Sequence, residues 1–466
     1  MDRELYELEK AIAEISERAK KFGLDFYPMR FELCPADVLY TIGAYGMPTR
    51  FTHWIFGKHY FRLKTMYDFN LSRIYELVVN SNPCYAFLLE GNSLLQNKLV
   101  IAHVFAHCDF FKNNAWFKNT NRNMIETMAV NADRIREYEF LYGLGEVEKI
   151  LDCALAIQEH IDFHQIKKKE EPGTRKKKES HQRDTPYDDI WAIGSGEKED
   201  EKPEEEKFPP YPEKDIIGFI MTHSHSLKDW QREILAMVRD EMYYFWPQVE
   251  TKIINEGWAA FWHTRIMRDL NLSDEETLEF ARLHGGILQT SRTRLNPYLL
   301  GMKIFEDIEK RWDNPSPEER ERFARPGGEG RAKIFEVRET ENDISFLRNY
   351  LTKDLVRELD LYLFKKQGQQ WKVTDTDWET VRDGIVANLV NGGYPYLTVE
   401  DGDYKGSGQL FIRHRHEGVD LDTYYLEKTL PYVYHLWGKT VHLETVLEGR
   451  PIIFSYDGTK NTRSTF

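Results

Sequence analysis

Two histidines four residues apart open the chemistry of this sequence. They lie in Asn97-Lys98-Leu99-Val100-Ile101-Ala102-His103-Val104-Phe105-Ala106-His107-Cys108-Asp109. On a helix, positions i and i+4 sit about 6 Å apart on one face, so both imidazoles can reach a single cation. The flanking residues are apolar, which predicts a buried face, and two adjacent buried imidazoles need partners. Those partners are either a metal or hydrogen-bonding groups of the core. Zincin proteases carry HExxH, in which the glutamate is the general base. Here Val104 holds that place, so any base must come from elsewhere.

A second run, Asn255-Glu256-Gly257-Trp258-Ala259-Ala260-Phe261-Trp262-His263, places a carboxylate and an imidazole in an apolar helix. A carboxylate there has a raised pKa unless it binds a cation or accepts hydrogen bonds. Glu256 is expected as the third ligand, the alternative being an ion pair with Arg239 or Arg265. His263 is about 10.5 Å further along the helix axis, too far for the same inner shell, and is expected to meet substrate or orient a ligand. Glu241 is a candidate base, with pairing to Arg239 or Arg232 as the alternative. Asp109 and Asn114 are expected to orient ligands or substrate. The cofactor this set suits is a divalent metal, zinc first, with manganese or iron also compatible. His160 and His164 repeat the i, i+4 spacing beside a charged run, where solvated side chains are expected. No GxxxxGK[ST], GxGxxG or GxSxG motif occurs in the chain.

The elements that must carry these residues are mostly helical. Leu5, Leu8, Ile12, Ile15, Ala19 and Phe22 recur at helical spacing up to Gly23, the pattern of an amphipathic helix. Further helices are predicted over about 96–112, 121–142, 144–166, 226–246, 247–270, 274–284 and 297–312, and short helices and loops over 25–95. Residues 167–207 hold 11 Lys or Arg and 13 Asp or Glu, too polar to offset chain entropy, and are expected to form a flexible insert. The last third turns to short strands near 396–400, 409–414, 440–443 and 452–456 around a helix at 421–435. The expected fold is therefore α+β. A mostly helical, zincin-like body (1–166 and 213–345) is interrupted by a charged insert (167–212) and followed by a small α+β unit (346–466).

Composition narrows the function. The 466 residues set a prior of about three domains, and the net charge of −14 gives no basic footprint for nucleic acid. The longest window without Asp, Glu, Lys or Arg is the 16 residues 384–399, broken by Gly392, Gly393 and Pro395, so no membrane-spanning helix is expected. The opening Met1-Asp2-Arg3-Glu4-Leu5 lacks the apolar core of a secretory signal. Four scattered cysteines form neither a disulfide framework nor a thiolate zinc site. A cytoplasmic protein is expected.

Several blocks together resemble the stage V sporulation protein R (SpoVR-like) family. They are Ser72–Asn80, Asn82-Pro83-Cys84-Tyr85-Ala86-Phe87-Leu88, His103–Asn114, Asp229-Trp230-Gln231-Arg232, Thr251-Lys252-Ile253 with Glu256-Gly257-Trp258-Ala259, Asn296-Pro297-Tyr298, and Leu436-Trp437-Gly438 with Val441. The resemblance implies a bacterial, cytoplasmic protein linked to spore formation and to the cortex, a peptidoglycan layer. It does not imply a reaction. Two functions follow as expectations: a metal-dependent hydrolase with a His-His-Glu site acting on cell-wall material, or a non-catalytic scaffold that binds sporulation or cell-wall proteins.

Convergence of His103, His107 and Glu256 requires one body on both sides of the charged run. Loop-closure entropy grows only logarithmically with length. Replacement of 167–207 by a short Gly/Ser linker is therefore expected to preserve folding and metal content. Limited proteolysis within this run should leave two fragments that co-elute on gel filtration; fragments that separate would contradict the shared site.

Overall fold

The computed structural model describes residues 2–68, 76–164, 207–291, 294–367 and 370–465. Residues 167–206 of the charged run, and Ser72–Tyr75, lie outside the described residues. The helices in chain order are α1 (Asp2–Lys21), α2 (Ala36–Tyr45), α3 (Trp54–Asp68), α4 (Leu94–Asn113), α5 (Met124–Tyr142), α6 (Leu144–Leu155) and α7 (Ile216–His223). Then follow α8 (Asp229–Glu250), α9 (Lys252–Asp269), α10 (Asp274–Ile287), α11 (Pro297–Asp313), α12 (Pro317–Phe323) and α13 (Gly330–Thr340). The last are α14 (Asp343–Tyr350), α15 (Lys353–Glu358), α16 (Trp378–Ala387) and α17 (Thr423–Trp437). The strands are β1 (Met29–Cys34), β2 (Glu76–Val79), β3 (Cys84–Leu89), β4 (Leu363–Gln367), β5 (Gln370–Asp375), β6 (Leu397–Tyr404), β7 (Gln409–His414), β8 (Val441–Leu447), β9 (Arg450–Tyr456) and β10 (Asn461–Thr465).

The chain divides into two compact units, each discontinuous in sequence: Met1–Leu155 with Asp229–Pro395, and Ala156–Lys228 with Tyr396–Phe466. This division departs from boundaries at 212/213 and 345/346, for packing reasons. Phe346 and Leu347 of α14 and Val381 and Val386 of α16 join the same buried cluster as Trp258 and Phe305, so 346–395 belongs with the helical body. Conversely, Glu213 pairs with Val399 in an isolated bridge, and Ser224 Oγ donates to the Leu436 carbonyl at 2.7 Å. Residues before Asp229 are thereby tied to the C-terminal sheet.

In the first unit α4 is buried on nearly every side from Leu99 to Phe111, and α9 from Ile253 to Met267 apart from Glu256 and Arg265. A helix apolar all round belongs to a core. Ser93 and Gln96 close a capping box at the start of α4, satisfying two otherwise orphaned N–H groups. α9 packs against both α4 and α11. Its crossing with α11 depends on Gly257 and Gly301, where a Cβ added to Gly257 would lie 2.3 Å from the Gly301 Cα. A three-stranded sheet in the order β1-β3-β2, with β1 parallel and β2 antiparallel to β3, occupies a region expected to hold only short helices and loops. Its strands are short and β3 is buried at five of six positions, so it lacks the alternation that marks a strand in sequence.

The break between α8 and α9 falls at Thr251, not at Pro247, which sits inside α8. The Asp343 carboxylate accepts the Ile253 and Ile254 N–H groups at 2.9 Å each, capping α9 from a distant segment. The helix expected over 144–166 ends earlier, at Leu155. In the second unit the sheet runs β10-β9-β8-β7-β6, with β7 and β8 parallel and joined through α17.

Two outcomes follow. Gly257→Ala should destabilise the protein by about 1–3 kcal/mol in urea unfolding through overpacking, while Gly57→Ala, which meets nothing within 4 Å, should not. Burial pushes the Asp343 carboxyl up to about 7, against the two N–H donors that lower it. Its unfolded value is near 4, so the folded state holds the extra proton between those values and stability falls as pH rises from about 4 to about 7. Relative to Asp343→Asn, the native protein should lose on the order of 2 kcal/mol of unfolding free energy between pH 5 and 8; parallel pH profiles would contradict this.

Candidate metal centre

His103 and His107 project from one face of α4, with ring centroids 4.6 Å apart and ring planes near perpendicular at 87°. Glu256 reaches between them from α9. Its Oε2 lies 3.5 Å from His103 Nε2 and 3.4 Å from His107 Nε2, longer than an ordinary hydrogen bond. Donor atoms of the three residues all lie within 4.8 Å of one another, the one such His/Cys/Asp/Glu cluster among the described residues. Both histidines are buried, and the Glu256 side chain is 19% exposed.

The outer ring nitrogens are held. His107 Nδ1 lies 2.9 Å from Asn255 Oδ1. With that oxygen accepting, Nδ1 carries the proton and Nε2 turns its lone pair toward Glu256. His103 Nδ1 lies 2.8 Å from His263 Nδ1, and His263 Nε2 lies 3.1 Å from His284 Nδ1 on α10. Glu256 Oε2 is itself buried and accepts no hydrogen bond. An anionic oxygen facing two imidazole nitrogens is the environment of a cation. Two imidazoles and one carboxylate are a donor set that fits zinc, and also manganese or iron.

The other expected residues are engaged elsewhere or in different roles. His263 is fully buried and meets His103; burial, together with the neighbouring imidazoles, pushes it well below its usual value, so it stays neutral. Glu241 pairs with Arg50, its Oε2 accepting from Arg50 Nε at 2.7 Å, and Arg50 stacks 4.4 Å over the Phe56 ring. Neither Arg232 nor Arg239 is that partner. Asp109 accepts from the Asp25 N–H at 2.7 Å and from Trp258 Nε1 at 2.9 Å, with Arg338 at 3.4 Å. Burial pushes its carboxyl up to about 6 against the pull of Arg338. Asn114 donates to the Arg338 and Glu341 carbonyls and accepts from the Trp116 N–H. Asp109 and Asn114 therefore tie α4 to neighbouring segments instead of orienting His103 or His107. Arg265 forms its ion pair with Glu309, not Glu256. His160 belongs to the second unit.

Sequence reasoning did not single out Asn255 or His284. Asn255 carried a signal, an amide beside the candidate ligand in an otherwise apolar helix. His284 carried none, since only the packing of α10 brings it to His263. A separate cavity of about 630 Å³ in the second unit is lined by His223, His225, Trp437 and Lys439 among others, and by none of the cluster residues.

Residues 2–394 match the family described as SpoVR like protein, and residues 395–448 match the SpoVR-like C-terminal domain. A curated relative, "Uncharacterized protein YcgB" of Escherichia coli (strain K12), is 29% identical over 468 residues, covering 94% of this chain and 91% of the relative. No solved structure matches. Among the described residues no helix is long and apolar enough to cross a membrane. With the two family matches meeting at 394/395 and spanning nearly its whole length, the chain belongs to the SpoVR-like family.

Proposed function

We propose that this protein is a divalent-metal protein with a sporulation-related role, in which His103, His107 and Glu256 hold the ion. The observation that carries this reading is Glu256 Oε2, buried and without a hydrogen-bond donor, facing both Nε2 atoms at 3.4 and 3.5 Å. A cation between them replaces the repulsion of electron-rich atoms by attraction. The sporulation-related role is supported by family membership, and its direction toward cortex peptidoglycan rests on what the resemblance to that family implies.

A metal of this kind, when bound, supplies Lewis acidity for hydrolysis. The chain's own residues do the positioning. Asn255 fixes the His107 ring and tautomer, His263 holds the His103 ring, and the surrounding Phe111 and Tyr298 rings restrict access by solvent. The substrate class proposed is cell-wall material or its precursors.

A second reading, a non-catalytic scaffold for sporulation or cell-wall proteins, is favoured by one observation. Val104 stands where zincins carry the base, and Glu241 is committed to Arg50.

Protein purified without chelator should contain about one equivalent of a divalent metal by elemental analysis. His103→Ala and Glu256→Gln should each abolish it while the circular dichroism spectrum persists. Metal content that is far below one equivalent and unchanged by His103→Ala would sink the site. If the native protein binds metal, hydrolysis of peptidoglycan fragments that is lost in folded His103→Ala supports the hydrolase. Metal binding without any hydrolysis, with His103→Ala strongly destabilised, supports the scaffold.

A further inference from the structure

Behind the cluster, three imidazoles stand in line: His103 on α4, His263 on α9 and His284 on α10. Each contact joins ring nitrogens at hydrogen-bonding distance, 2.8 Å and then 3.1 Å, so each must hold one proton between two nitrogens. A neutral imidazole carries its proton on one nitrogen only, so the choice at one ring dictates the choice at the next. Two arrangements satisfy both contacts. In the first, His284 donates from Nδ1 to His263 Nε2, and His263 donates from Nδ1 to His103 Nδ1. His103 then carries its proton on Nε2, pointing at Glu256. In the second, His103 donates from Nδ1 to His263, and His263 donates from Nε2 to His284 Nδ1. His103 Nε2 then offers a lone pair.

We propose that His284 is a positioning residue for the metal centre, the outer end of a three-imidazole relay that sets the tautomer of His103. This rests on the metal reading given above. Passing from the first arrangement to the second, the His103 Nε2 proton leaves on the Glu256 side and His284 Nε2 takes one up from solvent. Two protons cross the shared contacts, both moving from His284 toward His103, and every ring is neutral in both arrangements. No charge is left in the core in either arrangement, which suits His263, a fully buried ring. His284 is the half-buried member, stacked on Phe280 at 5.6 Å, and is the ring able to exchange its proton with solvent. The ion's arrival at His103 thus releases the Nε2 proton on the cluster side, while His284 draws from solvent the proton that replaces the one it passed inward.

The role depends on an acceptor at the position of His284 Nδ1. Without one, the cheaper choice for His263 is to leave Nε2 as a bare lone pair and donate from Nδ1 to His103. That places the His103 proton on Nε2, where it blocks the ion.

The test compares His284→Leu, which removes the acceptor, with His284→Asn, whose amide oxygen restores it. In competition titration with zinc alone, His284→Leu is expected to lose about 10- to 100-fold in affinity, and His284→Asn to stay within about threefold of the native protein. Long-range 1H–15N correlation spectra of histidine-labelled apo protein supply the second readout. His103 should shift toward the Nε2–H tautomer in His284→Leu and retain native populations in His284→Asn. Native zinc affinity together with native tautomers in His284→Leu would overturn the relay. If the native protein itself binds no zinc, the metal reading falls, and the apo tautomer spectra still decide whether His284 governs His103. Unaltered His103 signals in His284→Leu would then overturn it.

Discussion

Everything around the first unit's centre answers to one constraint: two helices apolar on almost every side bring three imidazoles, an amide and a carboxylate into the core. Unpaired, each such group would carry a desolvation penalty that packing alone does not offset. The solution is a continuous line of contacts from His284 through His263 and His103 to Glu256, and on through His107 to Asn255. At both ends the line closes with hydrogen bonds. At its middle an oxygen of Glu256 faces two nitrogens at 3.4 and 3.5 Å, the donor set proposed to hold an ion.

That line holds its geometry because α4 and α9 are fixed from several sides. The Gly257–Gly301 contact lets α11 lie directly against α9. Asp343 holds the first turn of α9 from a segment 90 residues later. On the opposite side of α4 from the histidines, Asp109 joins the Asp25 backbone, Trp258 and Arg338, so α4, α9 and α13 share one buried ionic contact. A buried pair of this kind contributes little net stability against an apolar replacement, yet removing one partner leaves a stranded charge. Its effect is positional: it sets the register of α4 against α9, and with it the meeting of the two histidines with Glu256.

The second unit is built on different principles. In its five-stranded sheet β8 alternates buried and half-buried positions, β7 is buried at four of its six positions, and α17 supplies the crossover that a parallel pair requires. Strand β6 takes an additional partner from Glu213, which enlists the segment before α7 into the same unit. The chain thus leaves the first unit after Leu155 and re-enters it at Asp229.

How much of this was legible beforehand follows from the range of the interactions involved. The i, i+4 spacing of His103 and His107 is local, a property of helix geometry, and the sequence alone determined that they share a face. The apolar surroundings of Glu256 and the helices carrying all three residues were legible for the same reason, as was the α+β character of the C-terminal third. Tertiary structure alone decided which groups those residues meet. Glu241 lay in sequence beside arginines of its own helix, but a buried carboxylate pairs with whatever cation the packing delivers, and that was Arg50, 191 positions away. Asp109 looked like a ligand-orienting group by its nearness to His107, yet two residues along a helix is a turn of about 200°, toward the opposite side. The short three-stranded sheet stayed hidden because its strands are brief and its central strand β3, buried at five of six positions, loses the period of two. His284 was invisible for a deeper reason: one histidine in an ordinary amphipathic helix carries no pattern, and only the packing of α10 on α4 and α9 turns it into the end of a line of imidazoles.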